Sequence, residues 1–160
     1  MDNNRASADA VFEYTDGCSV PLHITSVQVN EGLKKIGEYA FYNCRSLKNI
    51  TLPSSVTEIG DYAFQSCINL REVTLNNGLR KIGKYSFFDC KSLESIKLPS
   101  TLTEIGNVAF ENCRNLREVI LNNGLEKIGD RVFYNCTSLE NITIPSTVIG
   151  RLQSWLGQAT

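Results

Sequence analysis

The chain has 160 residues and a formal net charge of −1, and 42% of its residues are hydrophobic and 21% charged. That length and composition are ordinary for a single globular domain with one continuous core. A nearly neutral chain has no electrostatic attraction to nucleic acid or to an anionic membrane, so we expect neither as a partner.

The N-terminal region, residues 1–23, precedes the repeats. Residues 1–9 are polar and lack the apolar segment of a secretory signal, and no apolar run approaches the roughly 18 residues of a membrane span. These features favour a cytoplasmic location without membrane insertion. Residues 11–15 alternate like a strand and Asp16-Gly17 is a turn signal, so we expect a tail followed by an N-terminal cap.

From residue 24 onwards, a sequence pattern repeats at a fixed interval, which is the separation in sequence between Cys44 and Cys67. Five cysteines follow this interval, and so do five Ile-Gly pairs, each with a phenylalanine four residues after the glycine. A strand-like segment, apolar at its first, fourth and sixth positions, recurs at the same interval. The cysteines are Cys44, Cys67, Cys90, Cys113 and Cys136, the phenylalanines are Phe41, Phe64, Phe87, Phe110 and Phe133, and the predicted strands lie near 24–29, 47–52, 70–75, 93–98, 116–121 and 139–144.

A period of this length with this strand pattern is typical of a leucine-rich-repeat solenoid. One coil is too small to bury its own apolar side chains, so successive coils stack and share one core. Their strands then lie side by side in a parallel sheet, about 4.8 Å apart. We predict six coils of about 23 residues over 24–150. Residues 151–160, with Leu152, Trp155 and Leu156 on one helical face, are the predicted C-terminal cap.

The run from Leu52 to Cys67, Leu-Pro-Ser-Ser-Val-Thr-Glu-Ile-Gly-Asp-Tyr-Ala-Phe-Gln-Ser-Cys, resembles the repeat of BspA-like, or Treponema-type, leucine-rich-repeat proteins. The resemblance covers roughly residues 24–150. It implies a right-handed solenoid with a parallel β-sheet on the concave face and a second extended segment. It also implies short helical or 3₁₀ segments around Ala-Phe-x-x-Cys on the other side, and roles in adhesion or protein binding.

The corners after the strands alternate between two types, which indicates a two-coil unit. Residues 44–89 and 90–135 are identical at 28 of 46 positions. Proline presets φ at one type of corner, and we expect glycine to supply a positive φ at the other. The glycines of the Ile-Gly pairs indicate a bend with either a positive φ or a close backbone approach. The proline corners begin at Pro53, Pro99 and Pro145, and the Asn/Glu-Gly corners contain Gly32, Gly78 and Gly124.

The cysteine column has a structural interpretation and two less favoured chemical ones. Metal binding needs Cys-x-x-Cys pairs or histidine neighbours, and His23 is the only histidine. Disulfides between neighbouring coils are geometrically conceivable, but five stacked cysteines cannot all pair. A column of free, buried thiols is therefore favoured. No hydrolase, phosphate-binding or metalloprotease motif occurs, so we expect no catalytic, cofactor-binding or metal-binding residues and no enzyme activity.

The residue before each Ile-Gly pair alternates in charge from coil to coil. Opposite charges on adjacent strands attract, so this column favours a role in fixing the register between coils over a ligand site. Its members are Lys35, Glu58, Lys81, Glu104 and Lys127.

Two surfaces are candidates for contact with a partner. The outward positions of the strands vary between coils, so we predict that the strand face binds a protein around Glu72, Thr74, Lys97, Glu118 and Ile120. The alternative is a solvated sheet face, because this face is polar and lacks the aromatic or arginine anchors of interface hot spots. The opposite side carries aromatic columns that we expect to pack coil against coil. These columns are Tyr39, Tyr62 and Tyr85, and Tyr42, Phe88 and Tyr134.

The functional hypothesis is a non-catalytic protein–protein interaction module whose partner is another protein. The alternative is a structural or spacer array, or a fragment of a larger protein whose activity lies elsewhere.

Overall fold

The computed structural model describes residues 12–146, so the predicted C-terminal cap over 151–160 lies outside the described residues. These residues form short strands and turns. They contain no helix, and therefore no helix that could cross a membrane. The strands are β1 (Phe12–Tyr14), β2 (Val27–Val29), β3 (Lys35–Ile36), β4 (Asn49–Thr51), β5 (Glu58–Ile59), β6 (Glu72–Thr74), β7 (Lys81–Ile82), β8 (Ser95–Ile96), β9 (Glu104–Ile105), β10 (Glu118–Ile120), β11 (Lys127–Ile128) and β12 (Asn141–Thr143).

The predicted solenoid is confirmed, with two parallel sheets along its length. Sheet 1 consists of β4, β6, β8, β10 and β12 in that spatial order, and sheet 2 consists of β3, β5, β7, β9 and β11. Partners in both sheets are one repeat interval apart, as in Asn49 with Glu72 and Lys35 with Glu58. Each coil from residue 47 to residue 138 therefore contributes one strand to each sheet, and strands in both sheets pair in a register of one repeat interval.

The N-terminal strand β1 pairs in parallel with β2, with Phe12 opposite Val27 and Tyr14 opposite Val29. Tyr14 is buried, and its ring centroid lies 4.8 Å from that of Phe41. Its hydroxyl accepts a hydrogen bond from the Gly37 N–H at 3.1 Å. Tyr14 thus covers the end of the phenylalanine column, which would otherwise face water.

The core is a set of columns of identical or similar residues that run through the coils. The five phenylalanines from Phe41 to Phe133 are at most 1% exposed, and neighbouring rings stack at centroid distances of 5.0–5.6 Å. Parallel columns of isoleucine, leucine and cysteine are also buried. Each apolar side chain is therefore covered by its counterpart in the next coil.

The expectation of helical or 3₁₀ segments on the side opposite sheet 1 is wrong for the described residues. The chain forms successive turns there, and its N–H groups alternate in direction. Phe41 donates to the Ala63 carbonyl of the next coil at 2.7 Å, whereas Tyr42 donates to Tyr39 within its own coil at 3.0 Å. Left-handed residues produce this alternation. Their φ angles of 55–65° occur at Tyr39, Asn43, Tyr62, Ser66, Tyr85, Asp89, Val108, Asn112, Arg131 and Asn135.

The two corner types are linked through an asparagine side chain. Asn76 Nδ2 donates to the carbonyls of Pro53 at 2.7 Å and Val56 at 2.9 Å, and Asn76 Oδ1 accepts from the Gly78 N–H at 2.6 Å. The same bonds recur at Asn122, two coils later.

The expected positive φ at the Asn-Gly corners is wrong, because Gly17 is the sole described glycine with a positive φ.

The glycines of the Ile-Gly pairs are explained by close backbone approach. A Cβ atom on Gly83 would lie 2.6 Å from the Asp61 backbone nitrogen in the preceding coil. Ordinary carbon–nitrogen contacts are about 1 Å longer, so no side chain fits.

Candidate protein-binding surface

The outward face of sheet 1 carries the side chains predicted to bind a partner. In β6, Val73 is buried while Glu72 and Thr74 on either side of it are exposed. In β10, Val119 is buried between the exposed Glu118 and Ile120. This alternation follows from the pleat of a strand that has a core on one side only.

The register brings the five predicted residues onto one face across three adjacent coils. Glu72 and Glu118 both pair with Ser95, one from each side, so the two carboxylates flank that serine in one column. Lys97 is exposed and follows β8, which ends one residue earlier than its neighbours. Thr74 lies one repeat interval before Lys97 and Ile120 lies one interval after it, which places Lys97 between them in a second column.

The charges on this face are not neutralised by ion pairs. No ion pair among residues 12–146 involves Glu72, Lys97 or Glu118. Ile120, with 54% of its surface exposed, adds an apolar group to the same area. The face therefore presents both signs of charge and one apolar group to solvent. We name it the sheet 1 face.

Sheet 2 differs, because its outward charges attract one another. Lys35 Nζ lies 3.0 Å from Glu58 Oε1, and Lys81 Nζ lies 3.7 Å from Glu104 Oε1. The attraction expected between alternating charges is thus present between two pairs of coils. These side chains are partly exposed, so each pair contributes only about 0–1 kcal/mol.

The first aromatic column packs coil against coil, as expected. The rings of Tyr39 and Tyr62 stack at 4.7 Å and 4°, and those of Tyr62 and Tyr85 at 5.0 Å and 9°. The column ends there, because the next two coils place Val108 and Arg131 at this position. The second set, Tyr42, Phe88 and Tyr134, is not a continuous stack, since its members are two coils apart with Gln65 and Glu111 between them.

Sequence reasoning missed a charged cluster on the same side. Arg131 Nη2 lies 2.8 Å from Glu111 Oε1, and the Arg131 guanidinium lies over the Tyr134 ring at 4.4 Å. Burial raises the pKa of the Glu111 carboxyl, and the Arg131 charge opposes that shift. The available signal was that Glu111 replaces an aromatic or amide residue of the other coils.

The five cysteines of the repeat are free and buried. The Cys67 thiol donates to the Phe41 carbonyl at 3.0 Å, and the Cys90 thiol donates to the Phe64 carbonyl at 3.2 Å. Burial raises the pKa of Cys44 to about 11 and that of Cys136 to about 12, so both thiols are protonated at neutral pH. No group of three or more His, Cys, Asp or Glu within residues 12–146 is placed to hold a metal ion.

Parallel strands at one constant interval, joined by turns around one columnar core, define a leucine-rich-repeat solenoid. A family model described as the BspA type Leucine rich repeat region matches residues 19–113, in six copies. Because that match covers more than half of the chain, the chain belongs to the BspA type leucine-rich repeat family. No curated protein sequence shows significant similarity to it.

Solved structures of bacterial leucine-rich repeat proteins are similar to this chain. A protein from Bacteroides ovatus is 34% identical with a TM-score of 0.69, over 84% of this chain and 33% of that one. The T. pallidum Leucine Rich Repeat protein is 28% identical with a TM-score of 0.67, over 88% and 72%. A protein from Eubacterium ventriosum is 32% identical with a TM-score of 0.68, over 78% and 32%. The chain thus spans a third of the B. ovatus protein.

Proposed function

We propose that this chain is a non-catalytic protein–protein interaction module, and that the sheet 1 face around Glu72, Thr74, Lys97, Glu118 and Ile120 contacts the partner protein. The observation that carries the proposal is the contrast between the two sheets. Four of the five outward charges on sheet 2 pair with each other, whereas Glu72, Lys97 and Glu118 form no ion pair within residues 12–146 and lie beside the exposed Ile120. Membership of a leucine-rich repeat family supports a binding role.

The dimensions of the face also suit a protein partner. A stable interface buries about 800 Å² on each partner, which is more than a single coil exposes on one side. The five residues span three coils, so a partner would contact several neighbouring strands of sheet 1 at once. Lys97 and Ile120 are adjacent in one column and supply the charged and the apolar contact, respectively.

The test is the double variant Lys97→Glu with Ile120→Asp, measured against a partner captured from lysate and identified by mass spectrometry. We expect its Kd to rise at least about tenfold, since it places acids at a mixed-charge, partly apolar contact. The matched control is Lys34→Glu with Leu22→Asp, which makes the same charge changes at exposed positions away from sheet 1. Unchanged affinity in the first variant, with its thermal midpoint intact, would place the contact elsewhere.

One observation favours the alternative of a piece of a larger protein. The chain spans only 33% and 32% of the B. ovatus and E. ventriosum proteins that it resembles. A capture experiment that recovers no partner with this chain, but recovers one with a longer product of the same gene, would support that alternative.

A further inference from the structure

The tyrosine column on the turn side stops at Tyr39, at the N-terminal end of the solenoid. Tyr62 covers one face of the Tyr39 ring, and no ring of the described cap residues covers the other face, since Tyr14 packs against Phe41 instead. Half of the Tyr39 surface is exposed. The stack therefore ends with a partly exposed aromatic ring.

A groove of about 610 Å³ lies at this end, between the cap segment 14–20 and the turn segment 37–42. No residue of the next coil lines it, so it lies on the side of Tyr39 opposite Tyr62. The ring of Tyr42 contributes a second aromatic wall, at 5.8 Å and 78° from Tyr39. Among the described residues that line it, Asp16 and Glu38 are charged and none is basic.

Elsewhere on the turn side, tyrosine rings with a neighbouring acid hold a cation. Lys84 Nζ lies 5.7 Å from the Tyr62 ring centroid and 3.6 Å from Asp61 Oδ2. The Arg131 guanidinium combines the same two contacts, with the Tyr134 ring and the Glu111 carboxylate. A cation, an aromatic face and a carboxylate therefore form a recurring set on this side.

On the groove side of Tyr39, the described residues supply the ring and the acids of this set without a cation. One interval before Lys84, the position that would place a side chain over Tyr39 holds Asp61, an acid. The nearby cation, Lys84, lies over Tyr62 and pairs with Asp61. Glu38 in the same coil and Asp16 in the cap line the groove with Tyr39, so the charge that would complement them there is positive.

We propose that this N-terminal groove binds an arginine side chain of a partner protein, with the guanidinium stacked on the Tyr39 ring and hydrogen-bonded to the carboxylates of Asp16 and Glu38. A guanidinium is planar, stacks on aromatic faces and donates in a fork to carboxylates, whereas an ammonium group does neither as well. The groove is within the size range of ligand pockets, so it holds the side chain with part of its backbone. It is separate from the sheet 1 face.

The experiment is an NMR titration of the ¹⁵N-labelled full chain with the capped peptide acetyl-Gly-Arg-Gly-amide. We expect saturable shifts at the amides of Gly37, Tyr39 and Ala40, with a Kd in the millimolar range for so small a probe. The citrulline peptide has nearly the same shape without the charge and should bind about tenfold more weakly. Equal binding of the two peptides, or shifts confined to sheet 1, would overturn the proposal.

Variants distinguish peptide binding in the groove from general effects of the protein's charge. Glu38→Gln should weaken binding about threefold or more, while Glu126→Gln, which removes an exposed carboxylate in a distant coil, should leave it unchanged. Tyr39→Leu, which keeps a bulky side chain but removes the aromatic face, should weaken it further. Retained affinity in both groove variants would contradict the assignment. Lys97→Glu with Ile120→Asp should not alter the titration, so the failure of either proposal is distinguishable from that of the other.

Two other occupants are outcomes of the same experiment. If Arg5→Ala tightens peptide binding tenfold, the chain's own arginine occupies the groove, and the partner is not required. If the amides of the groove shift as the protein concentration rises without peptide, a second copy occupies it. Either result would overturn the proposal of a partner protein.

Discussion

The inward and outward side chains of one coil are constrained differently. Inward columns hold identical or similar residues. The phenylalanines and cysteines recur in every coil from residue 41 to residue 136, and neighbouring phenylalanine rings lie about 5 Å apart. The outward column of sheet 1 holds Thr51, Thr74, Lys97, Ile120 and Thr143. An inward residue must fit between two neighbours of similar size and shape, whereas an outward residue must only be compatible with water. The binding surface can therefore change between coils while the fold stays the same.

The largest difference should be in thiol reactivity. Labelling of the five buried cysteines requires the coils to open, so we expect it to be at least about a thousandfold slower in the native state than in denaturant. Cys18 is partly exposed and serves as the internal control, which should react first. Mass analysis over time should show one early label and five late ones. Several early labels would contradict the buried column.

The same thiols give stability a pH dependence. Burial raises the pKa of Cys44 from 9.0 to about 11, so above pH 9 the unfolded chain loses this proton before the folded one. The stabilisation is therefore complete below pH 9 and declines as the pH rises towards 11. Chemical denaturation at pH 8 and pH 10 should show the lower free energy of unfolding at pH 10.

The next difference should be in core packing. Leu93→Ala removes a fully buried side chain and should lower the free energy of unfolding by about 2–5 kcal/mol. Lys97→Ala, four residues later on the outward face, should change it by less than about 0.5 kcal/mol. Urea denaturation of both variants measures the contrast. Equal losses would mean that the assigned inward and outward positions are wrong.

The smallest effect should distinguish paired from unpaired outward charges. Lys81→Glu replaces the partner of Glu104 and puts a third acid between Glu58 and Glu104. We expect a loss of about 0.3–1 kcal/mol at low salt, because like charges on adjacent strands repel. At 1 M salt the loss should nearly vanish. A loss independent of salt would indicate packing by the lysine stem instead.

The repeat interval predicted the register of sheet 1, and the alternating charges before the Ile-Gly pairs predicted that of sheet 2, because a solenoid places residues one interval apart next to each other. The second extended segment implied by the resemblance forms sheet 2. The prediction failed at the turns. The resemblance implied a helical turn around Ala-Phe-x-x-Cys, but the Phe41 N–H donates to the Ala63 carbonyl one coil away. That hydrogen bond joins two coils, so the sequence of one coil does not reveal it.

The N-terminal groove was missed for a similar reason. Asp16 was recognised only as part of a turn and Glu38 belongs to no motif, and they meet at the groove because the cap segment packs against the first coil next to Tyr39. The available signal was that no tyrosine lies one interval before Tyr39, which marks the end of the aromatic column. The exposed residues of sheet 1 could be located from strand alternation, since each strand has a core on one side only.

The asparagine that links the two corner types sets the step by which this solenoid can change length. Loss of the coil 47–69 or 93–115 would leave Asn76 or Asn122 facing another Asn-Gly corner without its proline-corner carbonyls. Loss of the coil 70–92 would instead place two proline corners side by side without the asparagine between them. Each of these losses would also bring like charges together in the outward column of sheet 2. Loss or gain of two coils together preserves both arrangements. Viable length variants of this protein should therefore differ by even numbers of coils.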